Sequence, residues 1–90
     1  MVQMEATVRN KYGIHCRPSA LIVKAAQTYA GTIHVARADT DGAAKVDAKS
    51  VLGLMGLGLA QGAKVHLLVA GPDEDKVCRE MIVLFEKPTY

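Results

Sequence analysis

Two periodicities take turns along this chain of 90 residues, and the order in which they do so leaves few folds open. Val2, Met4, Ala6 and Val8 alternate with Gln3, Glu5, Thr7 and Arg9, the two-residue period of a strand with one buried face. Ser19, Ile22, Val23, Ala26, Tyr29 and Ala30 then recur at helical spacing. Pro18 suits the first turn of that helix because its missing N–H would be orphaned anyway, and Gly31 is expected to stop it. Ile33 and Val35 predict a second strand and Ala44 to Asp47 a third, joined by the polar turn Ala38-Asp39-Thr40-Asp41-Gly42.

Ser50 to Ala60 is apolar but interrupted by Gly53, Gly56 and Gly58, so a short helix leading into a turn at Gln61-Gly62 is expected. Val65, Leu67 and Val69 alternate as a fourth strand, which Gly71-Pro72 breaks. Asp73, Glu74 and Asp75 suit the first turn of a last helix, whose buried stripe is Val77, Cys78, Met81, Ile82, Leu84 and Phe85 and whose end is Pro88. Each helix must bury its stripe on one face of the sheet. The reading is therefore an α+β fold, β-α-β-β-α-β-α, with a four-stranded antiparallel sheet and three helices on one face: a two-layer open-faced β-sandwich. Residues 1–90 are long enough for one core and too short for a second, so one domain is expected; a monomer is the expected state.

Composition excludes several function classes. A net charge of +2, three tyrosines, one phenylalanine and no tryptophan give little reason to expect a nucleic-acid partner. The longest apolar run, Val51 to Ala60, is about half the ~20 residues that span a bilayer, so no membrane insertion is expected. The first residues carry neither a basic region nor an apolar signal core. With Cys16 and Cys78 the only cysteines, reduced thiols and a cytoplasmic location are the default. His34 and His66 fall on the polar phase of predicted strands, with no ligand cluster at metal spacing, so neither a metal nor a cofactor is expected. The glycines at 53, 56, 58 and 62 lack the Gly-Lys-Ser/Thr of a phosphate-binding loop.

The chemistry concentrates in Tyr12-Gly13-Ile14-His15-Cys16-Arg17-Pro18-Ser19-Ala20, where a histidine stands at the opening of the first helix. Imidazole keeps an unprotonated nitrogen at neutral pH and can act as a nucleophile. A helix N-terminus offers unpaired N–H groups to an anion, so a group carried by His15 would meet the amides of Cys16 and Arg17, with the Arg17 guanidinium beside it. Arg17, Lys24 and Gln27 form the polar face of the same helix.

Gly13-Ile14-His15-x-Arg17-Pro18 resembles the active-site motif of HPr, the histidine phosphocarrier of the bacterial sugar phosphotransferase system. Val46-Asp47-Ala48-Lys49-Ser50-Val51-Leu52-Gly53-Leu54-Met55 resembles the regulatory-serine motif of the same family, and the similarity runs from about residue 2 to about residue 86. The resemblance implies the same sandwich fold and phosphorylation of His15 at Nδ1. It also implies phosphoenolpyruvate-charged Enzyme I as donor and IIA-type sugar-permease components as acceptors. It implies regulation at Ser50 by HPr kinase/phosphorylase, with Lys24, Gln27, Lys49, Val51, Leu52 and Met55 as the docking surface.

From the residues alone, Ser50 before an apolar run also reads as a helix N-cap, with Asp47 as its competitor. Cys16 departs from the family's usual small residue and reads as a small spacer tolerated next to His15; the alternative is a reactive thiol, since it stands at a helix start beside Arg17. The segment between Val35 and Val46 is a few residues longer than in common relatives. Two other readings remain open: the carrier of a nitrogen-type phosphotransferase branch, against which Pro18 leans, and a small non-catalytic binding module.

Overall fold

The computed structural model describes residues 1–38 and 45–88. Its elements follow one another as β1 (Val2–Thr7), α1 (Cys16–Gln27), β2 (Thr32–Arg37), β3 (Val46–Asp47), α2 (Val51–Gly56), β4 (Lys64–Ala70) and α3 (Glu74–Glu86). The strands form one sheet in the order β1-β4-β2-β3, every pair antiparallel. This is the α+β open-faced sandwich that the two periods predict.

Register explains the two faces. Val2 pairs with Val69 and Ile33 with Val69, while Met4 and Val35 both pair with Leu67, so these side chains stand in rows across one face. Against those rows α1 lays Ile22, Val23 and Ala26 and α3 lays Cys78, Met81 and Phe85, all buried in one hydrophobic cluster. The other face carries Glu5 opposite His66 and His34 opposite Asp47. His66 Nε2 lies 3.9 Å from Glu5 Oε2, and both histidines are half-buried, close to the solvated role expected of them.

Three boundaries differ from the sequence reading. The first helix ends at Gln27 rather than at Gly31, because the Thr28 hydroxyl and amide turn back onto the Ala25 carbonyl, the hydroxyl at 2.7 Å; Tyr29 and Ala30 lie beyond it. The second helix stops at Gly56, and Gly58 at φ 63° turns the chain away. Asp73 stands before α3 rather than in its first turn, in the left-handed region with φ 50° and no side-chain cap, whereas Glu74 and Asp75 do occupy that turn. Pro88 holds Lys87 extended and so closes α3 at Glu86. The turn through Gly42, the start of the third strand at Ala44 and most of the extra length before Val46 lie outside the described residues. Among the described residues no helix is long and apolar enough to cross a membrane.

Candidate functional site

Asn10 sets the loop that leads into α1. Its buried side chain accepts the Tyr12 N–H at 2.8 Å and its carbonyl accepts the Gly13 N–H at 3.0 Å, a local turn that aims the chain toward the helix. Gly13 follows at φ 72°. A Cβ there would run into the Leu59 carbonyl oxygen and stand 2.9 Å from the Ala60 Cα, so glycine alone allows the approach. The Ile14 N–H then donates to that Leu59 carbonyl at 2.8 Å, with the Ile14 side chain buried. The backbone is clamped on both sides of Gly13, and the next side chain emerges at the surface.

That side chain is His15, the N-cap of α1 in extended conformation. Its carbonyl accepts the Ser19 N–H at 3.0 Å, closing the first helical turn. Its Nδ1 accepts the Arg17 N–H at 3.4 Å, a hydrogen bond at the long limit of useful geometry. Histidine is an unusual cap; Ser, Thr, Asp or Asn would satisfy the amides better. Pro18 has no N–H, so the amides left at this helix end are those of Cys16, which has no partner among the described residues, and Arg17, held only by the long bond to the ring. A neutral ring that accepts at Nδ1 carries its proton on Nε2, which leaves the Nδ1 lone pair facing the positive end of the helix.

Cys16 and Arg17 are both exposed beside it, whereas Cys78 is on the buried face of α3. Burial and the Asp75 carboxylate push the Cys78 thiol above its ordinary range, and its Sγ lies 3.9 Å from the Leu67 carbonyl. Lys24 and Gln27 are exposed on α1. Lys24 follows Arg17 on the same face about 10 Å along the axis, so Arg17 is the cation of the first turn.

The second motif forms α2, which packs against α1. Ser50 is its N-cap, with Oγ accepting the Gly53 N–H at 3.1 Å. Asp47 does not compete; its Oδ1 accepts the Lys49 N–H at 2.8 Å. Leu54 is fully buried while Leu52 is 84% exposed and Met55 43%, so these two form the exposed apolar patch. Two of the residues expected at the docking surface also serve the fold. Val51 is half-buried and packs toward the core, since its position on so short a helix faces inward. The Lys49 ammonium donates to the carbonyls of Tyr29 and Gly31 at 3.1 and 3.0 Å, tying the start of α2 to the segment between α1 and β2, and is no free surface cation.

Sequence reasoning passed over two residues. Arg37 donates from Nη1 to the Leu57 and Gly58 carbonyls at 2.9 and 3.2 Å and holds the C-terminal end of α2, a contact across some twenty residues that no local pattern announces. Tyr12 lies edge-on to His15, with ring centroids 6.3 Å apart.

The family model described as the PTS HPr component phosphorylation site matches residues 2–87. This chain belongs to the HPr family. Among HPr relatives it is 36% identical to the HPr-like protein Crh of Halalkalibacterium halodurans, over 97% of this chain and 99% of that one. It is 42% identical to the phosphocarrier protein HPr of Treponema pallidum, over 82% of this chain and 80% of that one. The crystal structure of the phosphocarrier HPr of Bacillus anthracis superposes with a TM-score of 0.84 at 28% identity, covering 94% of this chain and 96% of that one. The HPr fold, a phosphocarrier family and a place in the phosphotransferase system follow from these matches.

Proposed function

We propose that this chain accepts a phosphoryl group on His15 from phosphoenolpyruvate-charged Enzyme I and passes it to IIA-type sugar-permease components. The observation that carries this reading is the Nδ1 lone pair turned onto the amide end of α1, in a chain of the HPr family. In the forward step Nδ1 forms a bond to phosphorus as the bond from phosphorus to the donor breaks. Phosphoryl transfer needs positioning and charge stabilisation more than covalent help. As the group arrives, the Arg17 N–H exchanges its long bond to the ring for a phosphate oxygen, the Cys16 N–H takes another, and the Arg17 guanidinium offsets the charge. All these groups sit at the surface, so an acceptor nucleophile can reach the phosphorus from the open side and bond to it as the bond from phosphorus to Nδ1 breaks.

Incubation with phosphoenolpyruvate and Enzyme I should add one acid-labile phosphoryl group by intact mass. No gain with either sugar-type or nitrogen-type Enzyme I would sink the carrier reading, and a gain with only the nitrogen-type enzyme would move the protein to that branch.

A second role rests on Ser50 and on the similarity to an HPr-like protein Crh. Phosphorylation of Ser50 by an HPr kinase/phosphorylase would add about −2 charge beside Leu52 and Met55 and weaken apolar docking there. The carrier itself is proposed to work in the cytoplasm, without metal or cofactor.

A further inference from the structure

Among the described residues, Tyr12 is an aromatic that the core does not explain. It is 75% exposed, so packing does not account for it, and its ring meets the His15 imidazole at an interplanar angle of 82°, the favoured edge-to-face arrangement. Its own position is fixed from behind, because its N–H donates to the buried Asn10 Oδ1 at 2.8 Å and the following Gly13 is locked against Leu59. The Lys11 ammonium stands 5.6 Å from the Tyr12 ring centroid, within cation–π range, and biases the ring toward one place. The His15 ring, by contrast, takes from the helix a single 3.4 Å hydrogen bond, from the Arg17 amide, too long to fix its orientation.

We infer that Tyr12 is a positioning residue for His15: its ring restricts rotation of the imidazole so that Nδ1 keeps facing the amides of Cys16 and Arg17. This rests on the carrier reading for its purpose and on geometry alone for its substance. A half-buried imidazole without that neighbour samples rotamers in which Nε2 or a ring carbon faces the helix, and the share of reactive encounters falls accordingly. The phenol oxygen makes no hydrogen bond among the described residues, so phenylalanine should serve as well as tyrosine.

The test compares wild type with Tyr12→Phe and Tyr12→Leu. Nitrogen-edited NMR of the imidazole, with ring proton shifts and couplings about χ1, reads the orientation and tautomer of His15 without any partner. The expected result is one dominant rotamer in wild type and Tyr12→Phe and rotamer averaging in Tyr12→Leu. Phosphorylation by Enzyme I should then show kcat lowered about two- to tenfold in Tyr12→Leu at unchanged KM, the range an edge-to-face pair supports, with Tyr12→Phe as wild type. Unaltered rotamer populations in Tyr12→Leu would overturn the inference, as would a Tyr12→Phe variant as impaired as Tyr12→Leu. A rise in KM alone would also overturn it, since that marks Tyr12 as a docking contact. A wild type that takes up no phosphate would refute the carrier reading while the NMR still decides the role of Tyr12.

Discussion

Helices α1 and α2 both begin at the residue proposed to take a phosphoryl group, and the two caps are built in opposite ways. At α1 the cap atom is itself the nucleophile: His15 Nδ1 accepts a bond of 3.4 Å that must be released when phosphorus arrives. At α2 the Ser50 Oγ accepts the Gly53 N–H at 3.1 Å, and Ser50 also closes the turn from the Asp47 carbonyl through its own N–H at 3.0 Å. The first cap is weak and sits on a backbone clamped by Asn10, Gly13 and Leu59; the second belongs to the fold. A site that must load and unload gains from a rigid backbone with a loosely held side chain, whereas a serine that caps a short helix couples its chemistry to that helix.

The sharpest break between the two sites is His15→Ala. It should abolish phosphoryl uptake from Enzyme I by intact mass while leaving the unfolding free energy from urea titration within about 0.5 kcal/mol of wild type, because the side chain is surface-placed and weakly bonded. Next in size is a bulky thiol-selective adduct on Cys16, which should block the same uptake by crowding the amides beside His15. Cys16→Ala should remain active and become resistant, with Cys78 modified far more slowly because burial keeps its thiol protonated. Full uptake by fully modified protein would show that Cys16 is only a spacer.

Gly13→Ala tests the rigid half of the comparison. A side chain at φ 72° pressed against Leu59 and Ala60 should cost about 1–3 kcal/mol by urea unfolding, and an unchanged midpoint would mean that the clamp is dispensable. Ser50→Ala should cost about 1 kcal/mol by the same measurement, whereas Ser50→Asp, which keeps a capping oxygen, should cost less. Ser50→Asp should instead weaken Enzyme I binding, and equal affinities for it and wild type in titration calorimetry would remove the proposed regulation. Arg17→Ala should be the mildest of the set. It should slow transfer to the acceptor without preventing uptake, because the helix amides remain.

The types and order of the elements are legible in the sequence. A period of two and a period of 3.6 are local properties, and each buried stripe here follows its own. Ile22, Val23 and Ala26 on α1, and Cys78, Met81 and Phe85 on α3, are the residues the spacing selects. Helix ends were less legible. Tyr29 and Ala30 continue the phase of α1, but the Thr28 side chain competes for the Ala25 carbonyl and stops the helix first. The site divides along the same line. Gly13, His15, Arg17 and Ser50 announce themselves because each does something local: a turn, a cap, a charge in a first turn. Lys49 did not, since a lysine beside an exposed apolar patch reads as a solvated cation until folding brings the Tyr29 and Gly31 carbonyls to it.

What the sequence by itself determined is therefore the α+β alternation, the faces that turn inward, and a histidine at the start of the first helix. These depend on spacing within a dozen residues, over which chain geometry leaves one arrangement. Only the tertiary structure decided which groups that arrangement brings together. It set the Leu59 carbonyl against Gly13, Arg37 on the end of α2, and Leu52 outward with Val51 turned in. The Tyr12 ring edge on His15 is local in sequence yet is fixed by a loop that buries Asn10 and leans on Leu59. Such contacts join segments whose separation carries no periodic signal, so they follow from how the layers pack.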